Sequence, residues 1–244
     1  METNSHGFTI IEVMMFLAIS SLLLLGVFLL SGNLINGTRF TDSIRGLESF
    51  LQRQYEEVTS GVNPRGQQAC SSSAVTIGGA SDTPGTSNCL LLGKVIIFRV
   101  GTDTIDSYDV VGSEPAIPPV GASLGVLLQS YSPTTVLQSH TSYTVPWDAR
   151  FRAGKRGDGA AANAVALLRS PTSSQVEAYH FATTATGVIS LWAVVVNPVA
   201  SATTGSYCID GQDGAINTAA ITFGRAQGST AINAVFDVAA GVPC

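Results

Sequence analysis

Charge is scarce in this sequence. Asp, Glu, Lys and Arg make up 12% of its 244 residues, roughly half the usual share. The 17 acidic and 12 basic side chains leave a net charge of −5, so there is no global pull towards nucleic acid or anionic surfaces. Histidine is scarcer still: His6, His140 and His180 stand far in sequence from the four cysteines. None of the cysteines forms a CxxC pair, so no metal-binding spacing is present. The serines lack a Gly-x-Ser-x-Gly elbow, and neither paired carboxylates nor a phosphate loop stands out. These absences remove support for catalysis and for a cofactor. Gly, Ser, Thr and Ala fill the space instead, which suits a β-rich extracytoplasmic protein.

One absence is local. From Val13 to Leu30 there is no charged residue at all, and back to Phe8 the run is broken only by Thr9 and Glu12. As a helix it measures about 30 Å or slightly more, enough to cross a bilayer. It is too long for a signal-peptide core and no A-x-A site follows it. It is apolar on every face, unlike a buried core helix. A carboxylate near the end of such a span is costly without a partner, so Glu12 asks for one. The segment before it, Met1–Gly7, contains Glu2 and His6 but neither Lys nor Arg, which leaves the positive-inside rule to the α-amino group.

The stretch Gly7-Phe8-Thr9-Ile10-Ile11-Glu12-Val13 resembles the prepilin signature of type IV pilins and type II secretion pseudopilins. The resemblance implies a leader over residues 1–7, cleavage between Gly7 and Phe8, N-methylation of Phe8, and subunit assembly through Glu12. In that family the carboxylate pairs with the methylated amine of a neighbouring subunit. The implied partners are other pilin or pseudopilin subunits, a prepilin peptidase/methyltransferase, an inner-membrane assembly platform, and membrane lipid before assembly. The implied location is the inner membrane, with an extracytoplasmic head that ends in a surface or periplasmic filament. The presence of Glu12 argues against the subunit that caps a filament tip, which tends to lack it.

Beyond Ser31-Gly32-Asn33, apolar residues recur at Ile35, Phe40, Ile44, Leu47, Leu51, Tyr55 and Val58, with charged residues between them. This is one-faced helical periodicity, so the helix is expected to run from Phe8 to Thr59. Its 8–31 portion would span the membrane. Bending or local melting is expected at Gly26, Gly32 and Gly37, each worth about 1 kcal/mol against the helix relative to Ala. Ser60-Gly61 and Pro64 should end it. Residues 61–89 read as a Ser/Gly-rich loop with one short strand at Val75–Ile77.

From residue 90 the texture becomes short β-like runs between turns. They are Leu90–Val100, Thr104–Val111, Ser123–Tyr131, Thr134–Gln138, Ala164–Arg169, Val176–Thr183, Ile189–Val196, Ile216–Phe223 and Ala231–Val238. Glu114–Val120, with three prolines, is a connection. The fold class is α+β: a long N-terminal helix followed by a mainly β head of two packed antiparallel sheets over 90–244. The run into Lys94, the segment Ala164–Pro171 and the closing strands with Cys208 and Cys244 resemble H-type pseudopilins and related minor pilins. That resemblance implies the minor-pilin or pseudopilin role rather than the major subunit.

Cys70, Cys89, Cys208 and Cys244 beyond a membrane segment point to disulfides. Three pairings are open, and Cys70–Cys89 with Cys208–Cys244 is favoured because each closes its own loop. Arg150, Arg152, Lys155 and Arg156 cluster beside Trp147 and Phe151, a composition that can bind DNA. Arg225 is a second basic candidate. Asp148 and Asp158 dilute the cluster, so a solvated loop outweighs a DNA platform. Arg156-Gly157-Asp158 also spells an adhesion tripeptide. The alternative function is therefore a DNA-uptake or adhesive minor pilin whose head carries the activity.

Overall fold

The computed structural model describes residues 9–61, 68–71, 74–77, 89–122, 124–147, 149–183, 204–211, 218–224 and 232–236. One helix dominates it. Helix α1 (Ile10–Ser60) is 51 residues long, a rod of about 77 Å. Thr9 caps its start from an extended backbone, and Gly61 closes its end in the left-handed region with φ 64°, its N–H donating to Val58 O. The helix runs unbroken through Gly26, Gly32 and Gly37, which corrects the local melting expected there. Each glycine's cost is small beside the cooperative ladder on either side.

The sequence Gln68–Ser71 (β1) and Ala74–Ile77 (β2) forms a small antiparallel hairpin. Cys89–Phe98 (β3), Thr104–Ser113 (β4), Thr134–Thr144 (β5), Ala164–Arg169 (β9) and Val176–Phe181 (β10) build a five-stranded sheet in the order β10-β9-β3-β4-β5. Between β5 and β9 lie three short strands, Arg150–Phe151 (β6), Gly154–Arg156 (β7) and Ala161–Ala162 (β8). With Gly205–Asp210 (β11), Thr218–Phe223 (β12) and Ile232–Phe236 (β13) they make the second sheet, ordered β13-β12-β11-β7-β8, with β6 also paired to β11. All pairings are antiparallel.

Period-2 alternation in β3 divides the interior. Ile96 and Phe98 join a core shared with α1 and the second sheet, where Phe151, Tyr207, Ile209, Ile221 and Phe223 meet them. Val95 and Ile97 face the other way, towards Leu127, Leu128 and Tyr131. The helix contributes Phe40, Ile44, Leu47, Leu51, Tyr55 and Val58 to the first core, all buried. Each such burial is worth about 1.5–3 kcal/mol.

Residues Ser123–Tyr131 do not form the expected strand. Leu124–Ser130 is a short helix, α2, and Leu127, Leu128 and Tyr131 bury against the outer face of the five-stranded sheet. Leu124, Leu127, Leu128 and Tyr131 recur at i, i+3, i+4 and i+7, the spacing of one helix face. β5 runs on to Thr144 rather than ending at Gln138, and β6, β7, β8 and β11 had no counterpart among the expected strands. The expected strand Ile189–Val196 lies outside the described residues.

Gly93 sits where β3 shifts register against β4, in the strand held between β4 and β9. A Cβ there would stand 1.9 Å from the backbone oxygen of Leu167. The obstacle is main chain in the middle of a sheet and cannot swing away. Gly93→Ala is therefore expected to destabilise the head by about 3 kcal/mol, read as a lowered denaturation midpoint of the full chain in detergent.

Candidate functional site

The N-terminal turn of α1 is built by a reciprocal cap. Thr9 N donates to Glu12 Oε2 at 2.9 Å and Glu12 N donates to Thr9 Oγ1 at 3.4 Å. The Thr9 hydroxyl also donates to Glu12 Oε2, at 2.9 Å. This is a capping box, with the acid at the third helical position where it also meets the positive end of the helix dipole. Glu12 is thus fixed close to the chain's start by a threonine three residues earlier. Gly7 and Phe8 lie outside the described residues.

The apolar span that opens on this cap is left bare by its own chain. Ile10–Phe28 has a mean hydropathy of 2.4 and none of it is buried inside the molecule. Ile10, Leu22 and Phe28 are 81%, 73% and 70% exposed. A helix that is apolar on all faces and uncovered by its own fold needs lipid or other helices around it. Residues 3–28 match the model of the prokaryotic N-terminal methylation motif. The chain carries that methylation motif. No curated protein and no solved structure matches the chain. The match covers 26 of 244 residues (3 to 28 inclusive) and supports a type IV prepilin-like protein. It implies interaction with other pilins and with the peptidase, and with the apolar helix it indicates a membrane-anchored protein of structural type.

The amphipathic half of α1 is tied to the head by polar contacts. Glu48 accepts from Ala234 N at 3.2 Å, and Gln54 Oε1 accepts from the Ser107 hydroxyl at 3.2 Å. Glu57 pairs with Lys94 at 2.9 Å, and Lys94 also reaches Asp109 at 3.0 Å. Lys94 and Asp109 are buried, directly opposite each other on β3 and β4. Burial raises the Glu57 carboxyl, but the ammonium of Lys94, helped by Arg53, outweighs it and leaves the group below the usual range. The sequence held a sign of this cluster: a lone lysine inside the apolar run Leu90–Phe98 must find carboxylates.

The basic candidates do not form one platform. Arg150 is exposed on β6, while Arg152 pairs with Asp210 across the sheet. Arg156 turns back on Asp158, with Nη2 to Oδ2 at 2.7 Å and Nε to Oδ1 at 3.2 Å. The Ala160 N–H, then Arg156, hold the Asp158 carboxyl below its ordinary range. The two charges of the adhesion tripeptide thus satisfy each other. Lys155 is half-buried on β7, and Arg225 lies outside the described residues. Trp147 is exposed at 54% with a positive φ of 66°, and the Arg39 guanidinium sits 4.6 Å from its ring centre.

Cys89 and Cys208 are both disulfide-bonded. The side chains of Cys70 and Cys244 are outside the described residues, so the favoured pairings stand as a proposal.

Proposed function

We propose that this protein is a structural subunit, a minor pilin or pseudopilin, of a type IV pilus or type II secretion pseudopilus. The observation that carries the reading is the bare apolar helix Ile10–Phe28, opening on the Thr9–Glu12 cap within the matched methylation motif. Residues 1–7 are the leader, Gly7-Phe8 the cleavage junction, and Phe8 the methylated residue. After cleavage Glu12 is the fifth residue of the mature chain, one turn from the new amine. The amine of a neighbouring subunit gives it a counter-charge inside the apolar helix bundle, where each charge alone is costly. The bridges Cys70–Cys89 and Cys208–Cys244 close the loop 61–89 and tie down the C-terminus. Loops of these sizes contribute about 3–4 kcal/mol each on the chain-entropy account.

Mass spectrometry of the N-terminal peptide from membrane and sheared-surface fractions tests this. The expected peptide begins at N-methylated Phe8. A mature protein that retains Met1, or one cut beyond residue 30, would overturn the assignment.

A further inference from the structure

The order of contacts along α1 fixes which end of the head faces the bilayer. Arg39 lies against Trp147, Phe50 stacks on Tyr143 at 4.6 Å, Gln54 meets Ser107 and Glu57 meets Lys94. Climbing the helix away from its apolar half therefore moves from the Trp147 end of the sheet towards Lys94. The end nearest the membrane span is the rim around the β3–β4 turn.

That rim is held together by main-chain bonds. Gly101 N donates to Phe151 O and Phe151 N to Thr102 O, both at 2.8 Å, and Phe98 N donates to Asn163 O at 2.8 Å. Its surface is partly apolar. Trp147 and Val100 are 54% and 50% exposed, and beside Val100 a shallow cleft is lined by Ala153, Ala161, Ala162 and Ala182. Four arginines border it: Arg39, Arg99, Arg150 and Arg152. Arg99 is spent on the buried Asp106, and Arg152 on Asp210. Arg39 and Arg150 make no ion pair among the described residues; Asp42 stands three residues after Arg39 and Asp148 two before Arg150 in the sequence, and Asp210, opposite Arg150 on β11, is taken by Arg152. A tryptophan in the left-handed backbone region is uncommon and strained; here that conformation holds the indole outside the core.

The distances fit a lipid surface. Arg39 follows Phe28 by 11 residues, about 16 Å of helix axis. Each headgroup layer adds about 5–7 Å to the hydrocarbon core, which leaves a gap of about 10 Å along the helix for long side chains to bridge. Tryptophan with arginine is the composition of the membrane interface. We infer that, before assembly, this rim docks on the anionic headgroups of the same bilayer that α1 spans, with Trp147 as the interfacial anchor and Arg39 and Arg150 as the lipid-facing charges. The inference rests on the membrane-anchored reading.

The full chain, carrying Trp192→Phe so that Trp147 is the sole tryptophan, is reconstituted into nanodiscs with headgroup-nitroxide lipid. Co-purification with the discs reports insertion separately from docking. The expected result is quenching of Trp147 at least about twofold stronger in discs containing phosphatidylglycerol than in pure phosphatidylcholine. Arg39→Glu with Arg150→Glu should remove that difference. Inserted protein whose Trp147 is unquenched, or equally quenched in both lipids, overturns the proposal. If Trp192→Phe impairs folding, the signal lost between the parent and Trp147→Phe gives the same reading.

Discussion

Glu12→Ala is expected to leave the protein in the membrane and out of the filament. The alanine lengthens an already apolar span, so insertion should be at least as efficient as in the parent. On the proposed assembly, what is lost is the counter-charge for a neighbouring subunit's amine. Breaking such a pair in an apolar environment costs about 3 kcal/mol or more, a shift of more than about 100-fold per contact. Glu12 also serves its own helix through Thr9, and that local role has to be separated from the intersubunit one. Glu12→Gln does so, because glutamine can complete a capping box yet carries no charge. Both variants should be absent from sheared filaments and present at parental levels in membranes, measured by immunoblot. Incorporation of Glu12→Ala at the parental level would sink the assembly role.

The second large effect is acid sensitivity of the head through His180. This side chain is fully buried. Tyr207 Oη donates to Ala164 O at 2.8 Å, so at 2.7 Å it accepts from His180 Nδ1–H. That choice leaves Nε2 without a proton, and it has no hydrogen-bond partner among the described residues. Burial, and then the charge of Arg156, hold the histidine's pKa down from 6.5 to about 4. The unfolded chain takes up a proton near pH 6.5 that the folded chain refuses until about pH 4. Stability from this site is therefore complete above pH 6.5 and drains away as pH falls through that window. The loss by pH 4 is roughly 3 kcal/mol. Glu57, below its usual range, loses its contribution at lower pH still. Denaturant titration of the full chain in detergent at pH 7.5 and pH 4.5 should show a clear drop in midpoint. His180→Asn keeps a donor for Tyr207 and should flatten that pH dependence while lowering stability at neutral pH. A parental protein with equal midpoints at both values would refute the buried neutral histidine.

Much of the architecture is legible in the sequence because its causes are periodic. The steps from Phe40 to Val58 alone assign six helical side chains to the core, and alternation in Val176–Phe181 marks a sheet strand. Where periodicity is short or absent, the signal fails. Leu124–Ser130 has β-like composition, and its helical spacing covers barely two turns. β6 and β8 are two residues each, too short for any pattern to register. Gly205–Asp210 carries a glycine, a serine and an aspartate in six residues, yet all but the last are buried because the strand runs through the middle of its sheet. For the site, Glu12 stands out as the sole charge in an apolar run, but its tie to Thr9 needs the helix geometry. The lone Lys94 in its apolar run asks for carboxylates but does not say which, and the Arg39–Trp147 contact joins residues far apart in sequence that no local pattern announces.

The way α1 meets the head also has a mechanical consequence. The helix lies along the strands, and its contacts are spread over about five turns, at Glu48, Gln54 and Glu57 and along the apolar stripe from Phe40 to Val58. A pull on the apolar half is then met in shear, with many contacts loaded together, rather than by peeling them one at a time. Load entering at Arg39 is shared between both sheets, since they close on the same face of the helix. The head therefore works as a grip on the rod.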